Sequence, residues 1–300
     1  MIRMITDSTT GIPPAVAKER GITIAPLYVR YDDGEQLETA MDIEGFYDTL
    51  EDRIDDIPSS SQPSQHLLEG FFEEAAAAGD DVLGVFISGG LSGTFEGAVR
   101  AARTVKSHNI GFRCVLIDSL STCADEVFPL LDGADARDGG GSLEECAAAV
   151  VNGILCSRIL FVPESLAFLK AGGRIGPVAA LMGSAIKITP VISVFNGVPQ
   201  AIAKVRTMKR AVNEMLKCFQ ADVERYGLKR VVVHYIGKKT QMLESFHAEV
   251  ERIAGCSVEV RPASPVIGVH VGPAVGLAYE CVRYVQGKLD LSTDDLIFTA

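Results

Sequence analysis

Residues 87–98, ISGGLSGTFEGA, place Ser92, Gly93 and Thr94 where an apolar run, DVLGVF, gives way to residues of helical periodicity. Hydroxyls and glycines between a strand and a helix suit three chemistries: a phosphate loop, a serine nucleophile, or a seat for a carboxylate. A phosphate loop requires GxxxxGK[ST], and no lysine follows these glycines. A nucleophile elbow requires glycine two places before the serine and two after it; Gly90 meets the first condition, and Thr94 stands where the second glycine belongs. A helix N-terminus offers unpaired N–H groups and the positive end of a dipole, glycine lets a ligand approach the backbone, and Ser92 and Thr94 add donors. An ordinary cap accounts for the same residues, with Ser92 and Glu96 close to capping-box spacing.

Four other polar stretches bear on the choice. ITDSTTGIP sets Asp7, Ser8, Thr9 and Thr10 at the end of the first apolar run, where an α/β sheet keeps its ligand edge. PSSSQPSQ, residues 58–65, carries Ser60 and Ser61 just ahead of Ser64, a natural N-cap. LKAGGRIG presents Arg174 from a glycine turn, and SPVIGVHVGPAVG presents His270 from a strand end among glycines. Taken singly, each is a turn.

The elements that must position these residues follow from periodicity. IRMIT, ITIAPLYV (22–29), DVLGVFIS and FRCVLIDS read as strands; PAVAKER, GFYDTLED, QHLLEGFFEEAAAAG and the stretch from Thr94 to Lys106 read as helices between them. That alternation predicts an open, mostly parallel sheet flanked by helices. After it, a helix over 142–156, the strand RILFVP, the helical SLAFLKAGG, and two strands turning at Asn196-Gly197 predict antiparallel pairing and α+β character. RVVVHYIG, SVEVRPAS and VIGVHVG supply further strands, with the helix TQMLESFHAEVERIAG among them. Gly139–Gly141 is the most linker-like stretch, so the expected domains are 1–140 and 141–300.

Composition narrows the function classes. The chain of 300 residues is 47% hydrophobic and 22% charged, an ordinary globular balance. No apolar run reaches the roughly 18 residues of a membrane span, and MIRMITDSTT lacks a signal-peptide layout, so a cytoplasmic location is expected. The net charge is −11, but residues 1–157 carry 10 Lys/Arg against 27 Asp/Glu, and residues 158–230 carry 12 against 4. The overall sign and the lack of any nucleic-acid motif argue against nucleic acid. The basic block, including Lys204, Arg206, Lys209 and Arg210, is expected to meet an acidic partner or anionic lipid, or to be a solvated face. Seven scattered cysteines, with no CxxC and no metal-like spacing, read as reduced thiols and leave no metal site.

In this order, ITDST, SSQPS, ISGGLSGT, IDS, LKAGGRI, KITPVISV, KVRT and VIGVHVGP resemble the DegV family, whose members include the FakB-like fatty-acid-binding subunits of bacterial fatty acid kinase. The resemblance runs from Ile5 to about Tyr284. It implies a two-domain α/β fold enclosing a long-chain fatty acid, whose carboxylate faces a separate ATP-dependent kinase subunit for acyl-phosphate formation and phospholipid synthesis. On that reading the chain is a carrier, with no catalytic residue of its own and no cofactor beyond the bound acid. The charge of the basic block, apart from the resemblance, suggests transient contact with membrane phospholipid during loading or with the kinase during transfer.

The resemblance also implies roles. Ser60, Ser61 and Ser92, with Gly93 and Thr94, hold the carboxylate, and Arg174 and His270 stand at the pocket mouth facing the kinase. Candidate tail contacts are the apolar residues of ALMGSAIKITPVISVF, with Phe168 and Ile192, for which ordinary core is the stronger reading. Ser60 replaces the family's usual threonine, Gly89 lies where a second serine is common, and Ala274 stands in place of a glycine. The segment after Asp118-Ser119 lacks the longer glycine-rich helix typical there, which leaves the pocket wall over 121–135 as the main departure and a branched or oxidised lipid acid as a further candidate cargo. A stand-alone hydrolase or acyltransferase using Ser92 is the alternative of different class.

Overall fold

The computed structural model describes residues 1–182, 188–285 and 293–300. The chain begins with strand β1 (Ile2–Asp7), a 3-10 turn over Ser8–Thr10, helix α1 (Pro14–Glu19) and β2 (Ile22–Ala25). The run ITIAPLYV, expected as one strand, is two. Pro26 has no N–H to continue the ladder, and beyond it β3 (Tyr28–Tyr31) joins a separate small antiparallel sheet with β4 (Gly34–Leu37) and β5 (Ser59–Ser61). Helix α2 (Ile43–Leu50) lies between β4 and β5.

Helix α3 (Gln65–Ala78) starts at the Ser64 cap, whose Oγ accepts the Leu67 N–H, and ends on left-handed Gly79. It leads to β6 (Asp81–Phe86), helix α4 (Thr94–His108), β7 (Cys114–Asp118) and α5 (Ala124–Asp138). The residues over 121–135 therefore do form a helix for most of their length, with Pro129 inside it. Gly139–Gly141 make the tight turn from α5 into α6 (Leu143–Cys156), which opens with a capping box between Ser142 and Glu145.

Next come β8 (Ser157–Pro163), the short helix α7 (Ala167–Ala171), and the hairpin of β9 (Thr189–Phe195) with β10 (Val198–Val205). Asn196 and Gly197 both have positive φ, 47° and 78°, the mirror-image turn that a two-residue hairpin requires. Helix α8 (Met208–Tyr226), β11 (Leu228–Ile236), α9 (Gln241–Ala254) and β12 (Glu259–Pro262) follow.

VIGVHVG, expected as a strand, is instead the end of helix α10 (Pro265–Val271). The start signal outweighs the β-branched residues here: Ser264 Oγ accepts the Ile267 N–H, and Pro265 occupies the first helical position. The strand comes one turn later, as β13 (Ala274–Cys281), and β14 (Ile297–Thr299) closes the chain.

Two larger sheets carry the site. The first runs β14-β7-β6-β1-β2, parallel except for β14, with α3 and α4 on one face and α5 and α6 on the other. The second runs β10-β9-β8-β13-β11-β12, antiparallel except for the last pair. This is the mixed α/β architecture expected from the alternation. The hairpin tip of the second sheet meets the first: Ser88 Oγ donates to Gly197 O at 2.8 Å, and a Cβ on Gly90 would lie 2.6 Å from the same oxygen. Gly90 is required by this close approach.

Candidate functional site

A cavity lies between the two sheets and opens to solvent at Arg174. Its floor is the second sheet, through residues of β8, β9, β11 and β13 such as Leu160, Val194 and Leu277. Its roof is α10, through Val266 and Ile267. The loops beyond the carboxyl ends of β6 and β7 supply Ile87, Leu91, Ser92, Thr122 and Cys123, so the site occupies the ligand edge of the parallel sheet.

Polar groups gather at the opening. Ser60 sits on β5 opposite Val29, and its hydroxyl oxygen is 2.7 Å from Nε2 of His270 in the last turn of α10. Burial, with the nearby Arg174 guanidinium second, pushes the His270 imidazole down to about 4, so it is neutral at physiological pH. Its Nδ1 is buried without a partner and faces Gly172, where a Cβ would come within 2.3 Å. The tautomer with a proton on Nε2 leaves Ser60 Oγ as acceptor from the ring and free to donate its own proton into the cavity.

Arg174 spans the opening. Its Nε donates to Leu91 O at 3.0 Å and its Nη1 to Gly172 O at 2.6 Å, joining the turn after β6 to the turn after α7. Ser92 lines the cavity beside Leu91, with its Oγ 2.9 Å from Thr94 Oγ1 and accepting the Thr94 N–H at 3.3 Å. The cap of α4 is Gly93, without a side-chain bond, and Glu96 pairs with Arg100 instead, so the capping box anticipated for Ser92 and Glu96 is not formed.

Four of the residues singled out from the sequence thus meet at one opening: Ser60, Ser92, Arg174 and His270. The others lie elsewhere. Successive strand residues point to opposite faces, and the Ser61 hydroxyl donates to Glu35 Oε2 at 3.2 Å, outside the cavity lining. Gly93 and Thr94 stand behind Ser92, with Thr94 buried. Phe168 is buried against Gly272, and Ile192 packs with Leu169 and Val178 outside the cavity lining, whereas Val194 of ALMGSAIKITPVISVF does line the cavity, as does Leu169. Residues 183–187 of ALMGSAIKITPVISVF lie outside the described residues.

Asp7, Ser8, Thr9 and Thr10 stand at the anticipated sheet edge but turn inward as a buried brace. Asp7 Oδ2 accepts the Ile87 N–H at 2.7 Å, and Ser8 Oγ accepts the Leu27 N–H at 2.8 Å while donating to Glu38. Glu38 in turn accepts the Val266 N–H at 3.0 Å, which fixes the start of α10 and hence His270. Burial raises the carboxyls of Asp7 and Glu38, and raises Glu126 well above the ordinary range, with Asp7 adding to the effect.

Thr122 and Cys123 line the inner wall, within the segment 121–135 where the resemblance puts the pocket wall, though sequence reasoning singled out neither residue; it missed His234 altogether. His234 Nε2 accepts the Ala124 N–H at 3.3 Å and its Nδ1 meets Arg261 O at 3.3 Å; burial and then Arg261 push it down to about 4. A lone histidine within RVVVHYIG carries no signal beyond strand alternation.

The chemistry available at the opening is anion recognition in front of an apolar chamber. A serine beside a histidine also suits nucleophilic attack, but an imidazole held near 4 is a poor base at neutral pH, and no carboxylate orients Nδ1. The Ser92 hydroxyl is bonded to a threonine hydroxyl and not to a base. Among the described residues, no group of His, Cys, Asp and Glu side chains suits a metal ion, and no helix is long and apolar enough to cross a membrane.

Residues 1–281 match a family model described as "Uncharacterised protein, DegV family". A DegV domain-containing protein of Clostridium acetobutylicum is 35% identical over 286 residues, covering 93% of this chain and 97% of that protein. A DegV family protein of Thermus thermophilus whose structure concerns fatty acid binding is similar at 27% identity and a TM-score of 0.81, covering 93% of this chain and 99% of that one. DegV of Bacillus subtilis, described with its structure as a fatty acid binding protein, is similar at 26% identity and a TM-score of 0.82, with the same coverage.

Proposed function

The chain belongs to the DegV family, and from that we propose that it binds a long-chain fatty acid in the cavity between the sheets and presents the carboxylate at the opening to a separate kinase subunit. The observation that carries this reading is the union of Ser60, Ser92, Arg174 and His270 at the mouth of a chamber otherwise lined mainly by apolar residues. Burying about 15 methylenes at roughly 0.8 kcal/mol each supplies a gross transfer term of about 12 kcal/mol, before ordering costs. The tail accounts for affinity. The hydroxyls and the guanidinium supply charge-assisted bonds that limit the cost of removing a carboxylate from water and fix its direction.

A carboxylate held there faces solvent beside the exposed Arg174, within reach of a second protein that carries ATP. The chain itself supplies no nucleophile to the reaction in this reading: the acid's own carboxylate oxygen attacks the γ-phosphoryl group on the partner, giving acyl phosphate and ADP. Arg174 adds positive charge where phosphoryl oxygens arrive. Lys204 on edge strand β10, Arg206 just beyond it, and Lys209 and Arg210 at the start of α8 suit transient contact with anionic phospholipid during loading.

Mass spectrometry of a denaturing extract of the purified protein tests the first step, with a long-chain fatty acid as the expected ligand. Stripped protein that rebinds neither oleate nor palmitate overturns the reading. Acyl phosphate that forms from the loaded protein and ATP only when a kinase subunit is added supports the second step, and acyl phosphate formed without one overturns it. Liposome exchange that is unchanged when the four basic residues are neutralised removes the membrane contact.

A further inference from the structure

The loop from Ser119 to Cys123 holds its polar groups unequally. Ser119 Oγ donates to Ser121 O at 3.1 Å, and Ser121 Oγ donates to Asp125 Oδ2 at 2.5 Å. The loop backbone is tied as well: Ser88 N–H donates to Ser121 O at 2.9 Å and Cys123 N–H to Thr9 O at 3.2 Å. Thr122 is the exception. It is 7% exposed, it lines the cavity, and its Oγ1 is buried without a hydrogen-bond partner.

A buried hydroxyl with no partner forfeits its bonds to water and gains none in return, so its persistence calls for a partner in the cavity. The polar neighbour that the chain itself offers is weak: the Cys123 thiol, which burial pushes up to about 12 and the Thr122 hydroxyl draws back. Nor does the loop adopt this shape without strain. Leu120 and Cys123, on either side, have φ of 53° and 57°, the left-handed region that residues other than glycine avoid. His234 closes the same patch, yet both its ring nitrogens are engaged, by Ala124 N–H and Arg261 O, so it does not satisfy Thr122.

We infer that Thr122 is a second polar contact inside the chamber, and that the preferred cargo is a fatty acid bearing an oxygen function on its chain, a hydroxyl or a keto group, hydrogen-bonded to Thr122 Oγ1. Ser60, Ser92, Arg174 and His270 take the carboxylate at the opening, and Thr122 reads the chain on the buried wall. This inference rests on the proposed fatty-acid binding. An unsubstituted chain leaves Thr122 orphaned; a chain oxygen at the matching position satisfies both polar groups.

The test compares the stripped protein's affinity for stearate with that for its 3-, 10- and 12-hydroxy derivatives, in wild type, Thr122→Val and Thr122→Ser. The expected result is that at least one hydroxy acid binds wild type roughly three- to tenfold tighter than stearate, the yield of one hydrogen bond. Thr122→Val, which keeps the shape and removes the hydroxyl, abolishes that preference without lowering thermal stability. Thr122→Ser retains it. Stearate binding tighter than every hydroxy acid, or a preference unchanged in Thr122→Val, overturns the inference and leaves fatty-acid binding standing. Failure of all four acids to bind overturns the proposed function and this inference with it. A Thr122→Val protein that is less stable than wild type shows a partner within the chain and also overturns it.

Discussion

The hydroxyl oxygen of Ser60 and Nε2 of His270 lie 2.7 Å apart although 210 residues separate them in the chain. One comes from a three-residue strand and the other from the last turn of a short helix, and the Glu38 brace is what holds that helix in place. The pair fixes a donor at the opening of an apolar chamber. It does so with a neutral imidazole, because burial and Arg174 keep the ring from taking a proton.

Ser60 and Ser61 separate a binding role from mere proximity in sequence. On the proposed reading Ser60 gives a charge-assisted bond to the carboxylate, and Ser60→Ala is expected to weaken fatty acid binding by roughly 10- to 100-fold. Ser61→Ala is expected to change it by less than about twofold, since its hydroxyl is turned to Glu35. Titration calorimetry on the two stripped variants decides between them. Equal losses would show that the carboxylate engages both sides of β5.

Gly172 sets the position of the ring. Its φ of −73° is one that alanine adopts freely, so backbone strain plays no part. A Cβ there would meet His270 Nδ1 at 2.3 Å, and the approach is well below van der Waals contact. Gly172→Ala is expected to displace the imidazole, break its bond to Ser60 and lower affinity by about tenfold or more, with circular dichroism unchanged. The His270 ring resonances report the displacement directly; unmoved resonances with full binding would count against it.

Two buried histidines impose a pH dependence. His234 and His270 are both held down to about 4, against 6.5 when exposed. The unfolded chain binds more protons than the native one in that interval, so their contribution is complete above pH 6.5 and is lost as pH falls through 6.5 toward 4. His234, fully enclosed, contributes on the order of 3 kcal/mol by this route. The stability advantage of wild type over His234→Gln, read from urea midpoints, is expected to shrink over that range. An advantage independent of pH would remove the titration from the account.

How legible each feature is depends on the distance over which its cause acts. Local signals carry the elements with strong start and stop residues: the Ser64 cap, the Ser142 capping box and the Asn196-Gly197 hairpin. They mislead at His270, where periodicity in VIGVHVG favours a strand and the Ser-Pro start one turn earlier decides for a helix. Ser61 groups with Ser60 in the sequence, because the register that turns alternate residues to opposite faces is fixed by β3 and not by the SSSQPS run itself. The resemblance places a pocket wall over 121–135, but Thr122 within it has no local sign, since two left-handed residues that are not glycine shape the turn, and long-range bonds to Thr9 and Ser88 hold it.

The acidic brace carries the opposite pH dependence to the histidines. Glu126 is fully enclosed beside Asp7, accepting from Thr6 Oγ1 at 3.2 Å and Thr9 Oγ1 at 3.4 Å, and burial followed by the Asp7 charge raises its carboxyl well above 4.5. A raised carboxyl favours the folded state where it stays protonated; that contribution is present at low pH and is lost as pH rises through the folded value. Glu126→Gln keeps the shape and cannot ionise, so it is expected to gain stability over wild type progressively as pH rises above the ordinary carboxyl value of 4.5, with little difference at the acid end. Thermal midpoints at several pH values measure the gain. Because Asp7 holds the Ile87 N–H beside the cavity, relieving its like-charged neighbour is expected to steady that wall as well. A Glu126→Gln protein that loses stability relative to wild type as pH rises would mean that Glu126 is ionised in the fold and held by a cation.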